Sequence, residues 1–456
     1  MNYIKNIKNN QQNNDNFIKI PTSLTNFVNV ETIIKKDNNG NNYYSIEGYV
    51  EVLPEDRICS ACYNSMEINN QYEISLKHIP FGGIHSQVII ARKQLSCTHC
   101  NATKMQTIPF KDDKHFITKE LKEYAKKLLA TNDFTNKDIA FITGLNRNVV
   151  KEFDKERLIK LYTKDGLGKE LITPEATAKY LCIDEFKLHN GYKYATHIID
   201  YDTGNILWIA EGKKKQVVYD FIKHVGKEWM NNVIAVACDM NSDFEEAFKE
   251  ECPHLQIVYD FFHIKKNLNE KVIDEIRKDE QQKLIENGDE KAARILKRTK
   301  YILCSSEQTL LKKDQEVKEG KILSNKSDIF NKQEVKRRGN YYDRYNQLIQ
   351  ANEIFLTIEL IKIALDEAYA STDEEEMSKL IFDIMELCEA SGNNHLIKFR
   401  NLLYNHFDGI ITHATHKIST GKIEGVNNKI KTLRRQAYGY PDDEYFFLKL
   451  FDMSRK

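Results

Sequence analysis

Apolar and polar positions change period several times along the chain, and each change predicts a different element. In "EISLKHIP…SQVIIARKQL", residues 73–95, the two classes alternate, which predicts two paired strands. From Thr118 the period lengthens: Leu121, Ala125, Leu128 and Leu129 fall on one helical face. "TNKDIAFITGLNRNVVKEF" then reads as two short helices. Thr135 and Asp138 cap the first, Gly144 supplies the turn, and Asn146 caps the second. Ile139, Ala140, Val149, Val150 and Phe153 face inward, which leaves Arg147, Asn148 and Lys151 outward.

A run of strand-like segments follows. "KYLCIDEF" is an apolar strand that drives into Asp184 and Glu185. Tyr192–Asp200 and Ile206–Glu211 flank an Asp-Thr-Gly-Asn turn and read as a hairpin. "KQVVYDFIKHVGKEWM" has helical period, and "NNVIAVACDMN" is an apolar strand ending on Asp239. "SDFEEAFKEE" is helical, and "LQIVYDFFHI" is a strand ending on Asp260 and His263. Strand, two-stranded hairpin, helix, strand, helix, strand is the order of an RNase H-like core. In that order the first and fourth strands lie side by side. Asp184 and Asp239, 55 residues apart, would then meet. Like charges so placed repel unless a cation lies between them, and hard carboxylate oxygens suit Mg2+ or Mn2+, as two ions.

The region 265–412 is mostly helical in pattern, with Leu348, Ile349, Phe355, Leu356, Leu360 and Ile363 as its apolar positions; residues 311–340 are polar and charged and predict a mobile connection. Beyond it, Ser419 and Thr420 cap a helix with Glu424 in its first turns, and Gly439 closes it. Asn427, Asn428, Lys431, Arg434 and Arg435 follow Glu424 on this helix, and such amides and cations suit a phosphate backbone. A Glu on a basic helix is by itself an ordinary ion-pair partner; the two earlier acids make it a candidate third ligand.

Composition narrows the picture. The chain has 456 residues, 41% of them hydrophobic, which predicts several domains. No run approaches 18 consecutive apolar residues, and the first residues lack the apolar core of a signal peptide, so no membrane partner is expected and a cytoplasmic (nucleoid-associated) location is. Basic and acidic residues balance at 67 each, yet Lys417–Gln436 carries six basic residues against one acid, a local strip suited to phosphates.

Of nine cysteines, Cys182, Cys238, Cys252, Cys304 and Cys388 are scattered and read as buried thiols. Cys59, Cys62, Cys97 and Cys100 form two C-x2-C knuckles separated by 34 residues, a pattern for structural Zn2+ in a zinc ribbon. His78 and His85 are rival ligands. Beside such a ribbon, the helix pair 135–153 reads as a helix-turn-helix for double-stranded DNA, with an ordinary helical hairpin as the alternative.

In this order, the knuckles, the helix pair, "CIDEF", "GYKYATHIIDYDTGNILWIAEG", "ACDMN", "VYDFFHIKK" and "GKIEGVNNKIKTLRRQAYGY" resemble the ISL-three family of insertion-sequence transposases. The resemblance implies a DDE triad at Asp184, Asp239 and Glu424, zinc ligands at the four knuckle cysteines, and a supporting role for Asp260 and His263. It implies binding of terminal inverted repeats, metal-dependent cleavage and strand transfer, by a homodimer or higher assembly on DNA. A catalytically inactive DNA-binding regulator and a nuclease without joining activity are the alternatives. The expected fold is α/β (α+β): an N-terminal arm (1–50), zinc ribbon (51–112), helix-turn-helix (113–165), RNase H-like core (170–264), helical insertion (265–412), and a C-terminal catalytic helix completing the core (413–456).

Overall fold

The computed structural model describes residues 24–168, 170–189, 191, 193–240, 242–320, 323–324, 334–335, 339–419, 421–436 and 440–455. Their contacts divide the chain into two units: residues up to Ile172 with Arg434–Lys449, and Thr173–Leu433 with Leu450–Lys456.

The first unit holds a sheet of β1 (Phe27–Lys36), β2 (Asn42–Val50), β3 (Met66–Phe81), β4 (Ile84–Cys97) and β5 (Thr103–Met105), in the order β1-β2-β4-β3 with β5 on β4. The alternation in 73–95 is the long antiparallel β3–β4 hairpin. Phe81 pairs with Ile84, so Gly82 and Gly83 make the whole turn. Their φ of +57° and +80° is the left-handed backbone that a two-residue hairpin turn needs. Ile46, Val50, Leu76, Val88 and Ile90 pack with Ile108 and Phe110 beneath the sheet.

Residues 27–50, expected within an N-terminal arm, are strands of this same sheet. An edge strand shows little alternation, and β1 buries only Thr32. The arm's residues 1–23 lie outside the described residues.

Three helices follow: α1 (Lys119–Thr131), α2 (Asn136–Thr143) and α3 (Arg147–Tyr162). Thr135 and Asp138 form a reciprocal capping box, Gly144 ends α2 at φ +68°, and the Asn146 side chain caps α3. Leu121, Ala125, Leu129, Ile139, Leu145, Val150 and Phe153 form one core. Tyr445 and Leu448, from the last helix (Asp443–Ser454), pack on Leu158 of α3. Residues 434–449 thus belong with this unit, whereas the sequence pattern groups all of 413–456 with the catalytic core.

The second unit is built on β6 (Tyr180–Lys187), β7 (Tyr194–Asp200), β8 (Ile206–Glu211), α4 (Lys215–Val225), β9 (Ala235–Cys238), α5 (Ser242–Glu251), β10 (Gln256–Tyr259) and α6 (Phe261–Asn267). The sheet order is β10-β9-β6-β7-β8. β6, β7 and β8 are antiparallel neighbours, while β9 runs parallel to both β6 and β10. Every residue of β9 is buried, as a parallel strand covered on both faces must be. Val218, Phe221 and Ile222 of α4 and Phe244 and Phe248 of α5 belong to the core it shares. The strand expected to run through "LQIVYDFFHI" stops at Tyr259. Asp260 caps α6 by accepting from the Phe262 N–H, which places His263 on a helix. Tyr192, expected to open β7, lies outside the described residues.

Helices dominate between α6 and Thr415. In Glu353–Ala370 the buried side chains include Phe355, Ile358, Ile361 and Leu365. Leu356, Leu360 and Ile363, apolar positions of the same helical pattern, are each 46% exposed. The helix is apolar on nearly every face, so spacing alone does not choose which face packs. Gly409, in the helix Phe407–Thr415, lies so close to β10 that a Cβ there would stand 2.5 Å from the Tyr259 ring. Of the expected connection 311–340, the first part continues the helix Glu307–Lys318, and most of 321–338 lies outside the described residues. No helix among the described residues is long and apolar enough to cross a membrane.

Candidate functional site

Two clusters of ligand-type side chains form, one in each unit. In the first, β3 and β4 carry the knuckles to one end of their hairpin: Cys97 is the last residue of β4, paired with Met66. Each knuckle is followed by a residue in the left-handed region, Tyr63 (φ 60°) and Asn101 (φ 58°), so both turn back in the same way. The sulfurs of Cys59 and Cys100 are 3.6 Å apart, those of Cys62 and Cys97 3.4 Å, and those of Cys62 and Cys100 3.5 Å. A tetrahedral zinc with Zn–S bonds near 2.3 Å needs sulfurs roughly 3.8 Å apart. Hydrogen bonds from the Asn64 side chain and backbone draw the Cys62 thiol down to about 6, which favours the thiolate that a metal takes. Four protein sulfurs in this arrangement can hold one zinc ion and leave no open position.

The two rival histidines are engaged elsewhere. His78 is buried, with Nδ1 2.9 Å from the Thr118 hydroxyl, and His85 Nε2 lies 3.0 Å from the Phe141 carbonyl.

The second cluster surrounds Asp184. β6 and β9 pair in parallel as Tyr180↔Ala235, Leu181↔Val236 and Cys182↔Ala237. Two residues further along each chain come Asp184, still within β6, and Asp239, the first residue after β9. Burial pushes the Asp184 carboxyl above the usual carboxylate range, and the Asp239 charge adds to the effect. Asp184 Oδ1 accepts from the Glu185 N–H at 2.7 Å, and Oδ2 accepts from the Asn427 amide at 2.6 Å. Asp239 Oδ1 accepts from the Met240 N–H at 2.6 Å and faces His263 Nδ1 at 3.2 Å. The neighbouring Glu185 is also pushed up by burial, and its Oε2 is buried without a hydrogen-bond partner.

The helix Gly421–Gln436 is anchored by buried Ile423, Val426 and Ile430. Glu424 is exposed on it, one turn before Asn427 and so adjacent along its surface. Among the described residues, only the four cysteines bring three or more His, Cys, Asp or Glu ligand atoms within 4.8 Å of one another. Asp184, Asp239 and Glu424 do not close to that spacing as a set. Thr420 and Gly439, expected to bound this helix, lie outside the described residues.

The candidate DNA-contacting residues fall into two groups. Arg147, Asn148, Lys431 and Arg435 are exposed, and Arg434 is half-buried. Lys151, expected to point outward, is ion-paired with Asp442 at 3.1 Å and lies over the Tyr445 ring. Asn427, expected to face phosphate, instead binds Asp184. Its spacing of three from Glu424 is the one sign in the sequence that the two share a face.

A family model described as Transposase, of the ISL-three DDE type, matches residues 181–450. The transposase for insertion sequence element IS1001 of Bordetella parapertussis is 26% identical over 403 residues, covering 88% of this chain and 90% of that protein. The transposase for insertion sequence element IS1557 of Mycobacterium tuberculosis is 27% identical over 89 residues, 20% of either chain. The match spans both strand-borne acids and the helix that carries Glu424 and Asn427, and the chain belongs to the ISL-three family of insertion-sequence transposases, enzymes that act on DNA.

Proposed function

We propose that Asp184, Asp239 and Glu424 are the DDE triad of an RNase H-like core that cleaves DNA at the ends of an insertion sequence and joins the freed 3′-hydroxyl to target DNA. The observation that supports this reading is the parallel β6–β9 pairing, whose last pair, Cys182 with Ala237, lies two residues before Asp184 and Asp239, together with the effect of the Asp239 charge on Asp184. The sheet order, with three antiparallel strands and two parallel ones, is the order of RNase H-like cores. The helix bearing Glu424 returns to the same place, because Asn427 hydrogen-bonds Asp184 across 243 positions of sequence.

The donor chemistry fits a hard divalent cation. Two carboxylates feel each other's charge, and the Oδ1 of Asn427, which binds one of them, is buried with no hydrogen-bond partner. Asp184, Asp239 and Glu424 would hold magnesium or manganese. Two such ions, when bound, supply Lewis-acid activation of the attacking oxygen and stabilisation of the leaving one. The protein's own part is to fix the carboxylates. Backbone N–H groups of Glu185 and Met240, with Asn427 and His263, set their orientation. Asp260 caps the helix that carries His263.

In the other unit, α2 and α3 act as a helix-turn-helix, with Arg147 and Asn148 at the exposed start of α3, the end that reads the major groove. Lys431, Arg434 and Arg435 suit phosphate contacts, and the zinc ribbon with its β3–β4 hairpin serves as a second recognition element for double-stranded DNA. Joining two ends calls for at least two copies on the DNA.

The test is cleavage and strand transfer by purified protein on labelled DNA carrying the repeats that flank its gene, with Asp184→Asn alongside. Magnesium-dependent nicking at the repeat end, with joined product, both lost in Asp184→Asn, is the expected result. Cleavage without joining would point to a nuclease. Binding to the ends with no cleavage in magnesium or manganese would point to a DNA-binding regulator.

A further inference from the structure

We propose that Asn427 is a positioning residue for the cation-binding acids: it orients the Asp184 carboxylate and thereby sets the affinity for the divalent metal. This rests on the reading of Asp184 as a metal ligand.

The two strand-borne acids are held in matching ways. In each, Oδ1 accepts the N–H of the next residue, Glu185 at 2.7 Å and Met240 at 2.6 Å. In each, a side chain from a distant element adds a second contact. For Asp239 it is His263 at 3.2 Å; for Asp184 it is Asn427, at 2.6 Å on Oδ2. A carboxylate on a strand end can rotate about its side-chain bonds, and each contact removes part of that freedom before a metal arrives. Hydrogen-bonded partners behind a ligating carboxylate typically change metal affinity or activity by about 10–100-fold when removed.

An amide suits this position better than a cation. A lysine or arginine there would neutralise Asp184 and compete with the metal, whereas the amide N–H orients the carboxylate and leaves its charge in place. The other half of the carboxamide points the same way. Asn427 Oδ1 is buried and has no hydrogen-bond partner in the protein, an arrangement that is costly unless a ligand supplies one. A carbonyl oxygen is a suitable member of the ligand shell of magnesium or manganese, directly or through a bound water. Buried Ile423, Val426 and Ile430 fix the helix, so the amide is presented by packing rather than by its contact with Asp184.

The experiment measures Mn2+ binding to full-length, zinc-loaded protein by electron paramagnetic resonance of the free ion, together with the metal dependence of end cleavage. Asn427→Ala is expected to weaken Mn2+ binding about 10–100-fold and to shift the metal midpoint of cleavage by the same factor. Saturating metal should restore most of the turnover, and metal-free binding of repeat-end DNA should be unchanged. Thr432→Ala, exposed on the same helix, should match the wild type. Should Asn427→Ala not fold, Asn427→Gln, which moves the amide by one methylene, is expected to shift the midpoint in the same direction by a smaller factor. Wild-type Mn2+ affinity in the folded variant, or reduced turnover at an unmoved midpoint, would overturn the proposal. Asp184→Asn separates the two ideas. If it retains wild-type Mn2+ binding, the catalytic reading fails; if it loses binding while Asn427→Ala keeps it, only the positioning role fails.

Discussion

Replacing Asp154 with alanine should loosen the three-helix region without disturbing the sheet beside it. Asp154 is fully buried, and both its oxygens are used. Oδ1 accepts from Arg157 Nε at 3.2 Å and Nη2 at 2.9 Å. Oδ2 accepts from the Tyr445 hydroxyl at 2.7 Å and pairs with Lys449 Nζ at 2.8 Å. The network reaches further: the Asn136 amide donates to the Tyr445 hydroxyl at 3.1 Å, and Lys449 Nζ donates to Asn132 Oδ1 at 3.2 Å. One carboxylate therefore ties α3, the start of α2, the end of α1 and the last helix together. Truncating it takes the Asp154 counter-charge from Lys449, 8% exposed, and removes the Asp154 contacts of Arg157, and breaking a buried pair from one side costs about 3–5 kcal/mol. Tyr445→Phe removes two hydrogen bonds, the one donated to Asp154 and the one accepted from Asn136, and should cost about 2 kcal/mol. A chain of two units does not melt as one transition, so the measurement is native-state hydrogen exchange at the amides of α2 and α3. At about 1.4 kcal/mol per tenfold, Asp154→Ala should speed their exchange more than 100-fold. Acceleration below about tenfold, or equal acceleration in β3 and β4, would refute the reasoning.

Two other outcomes are expected. His197 is fully buried, and burial, only partly opposed by the Asp184 backbone, draws it from 6.5 to about 4. Between those values the unfolded chain binds a proton that the folded chain does not, so stability falls as pH drops through the window, by roughly 3 kcal/mol in all. His197→Leu should flatten this acid limb in urea unfolding followed by the fluorescence of Trp208 and Trp229, both in the same unit, from pH 7 to pH 4, and an unchanged slope would show that another group carries it. Cys97→Ser should abolish a zinc content of one per chain by metal analysis and speed exchange around the two knuckles. The core of Ile46, Leu76, Val88 and Ile90 is a separate cluster from the one around Cys59 and Cys97, so exchange in the middle of β3 and β4 should hold.

Whatever is encoded within a few residues is legible in the amino-acid order itself. The capping box of Thr135 and Asp138, the Gly144 stop and the two C-x2-C knuckles depend on local backbone chemistry, and each takes that form here. The strand order around Asp184 is legible for a related reason. Fully apolar strands alternating with amphipathic helices leave few ways to bury both faces of a sheet. What the residues alone could not decide is set by partners far away in sequence. Lys151 reads as an outward cation until Asp442, nearly 300 residues later, pairs with it. Leu356 and Phe355 are equally apolar neighbours, and packing against other helices decides that only Phe355 is buried. β1 looks like part of a polar arm because it is an edge strand that buries only Thr32, while β2 is recognisable as a strand only once β1 and β4 pair on either side of it. Asn427 reads as a DNA-facing amide until the fold brings Asp184 within 2.6 Å of it. The sequence by itself determined the local elements and the kinds of chemistry the chain can carry. Tertiary structure alone decided which side chains meet, because such contacts depend on how whole surfaces bury rather than on any spacing along the chain.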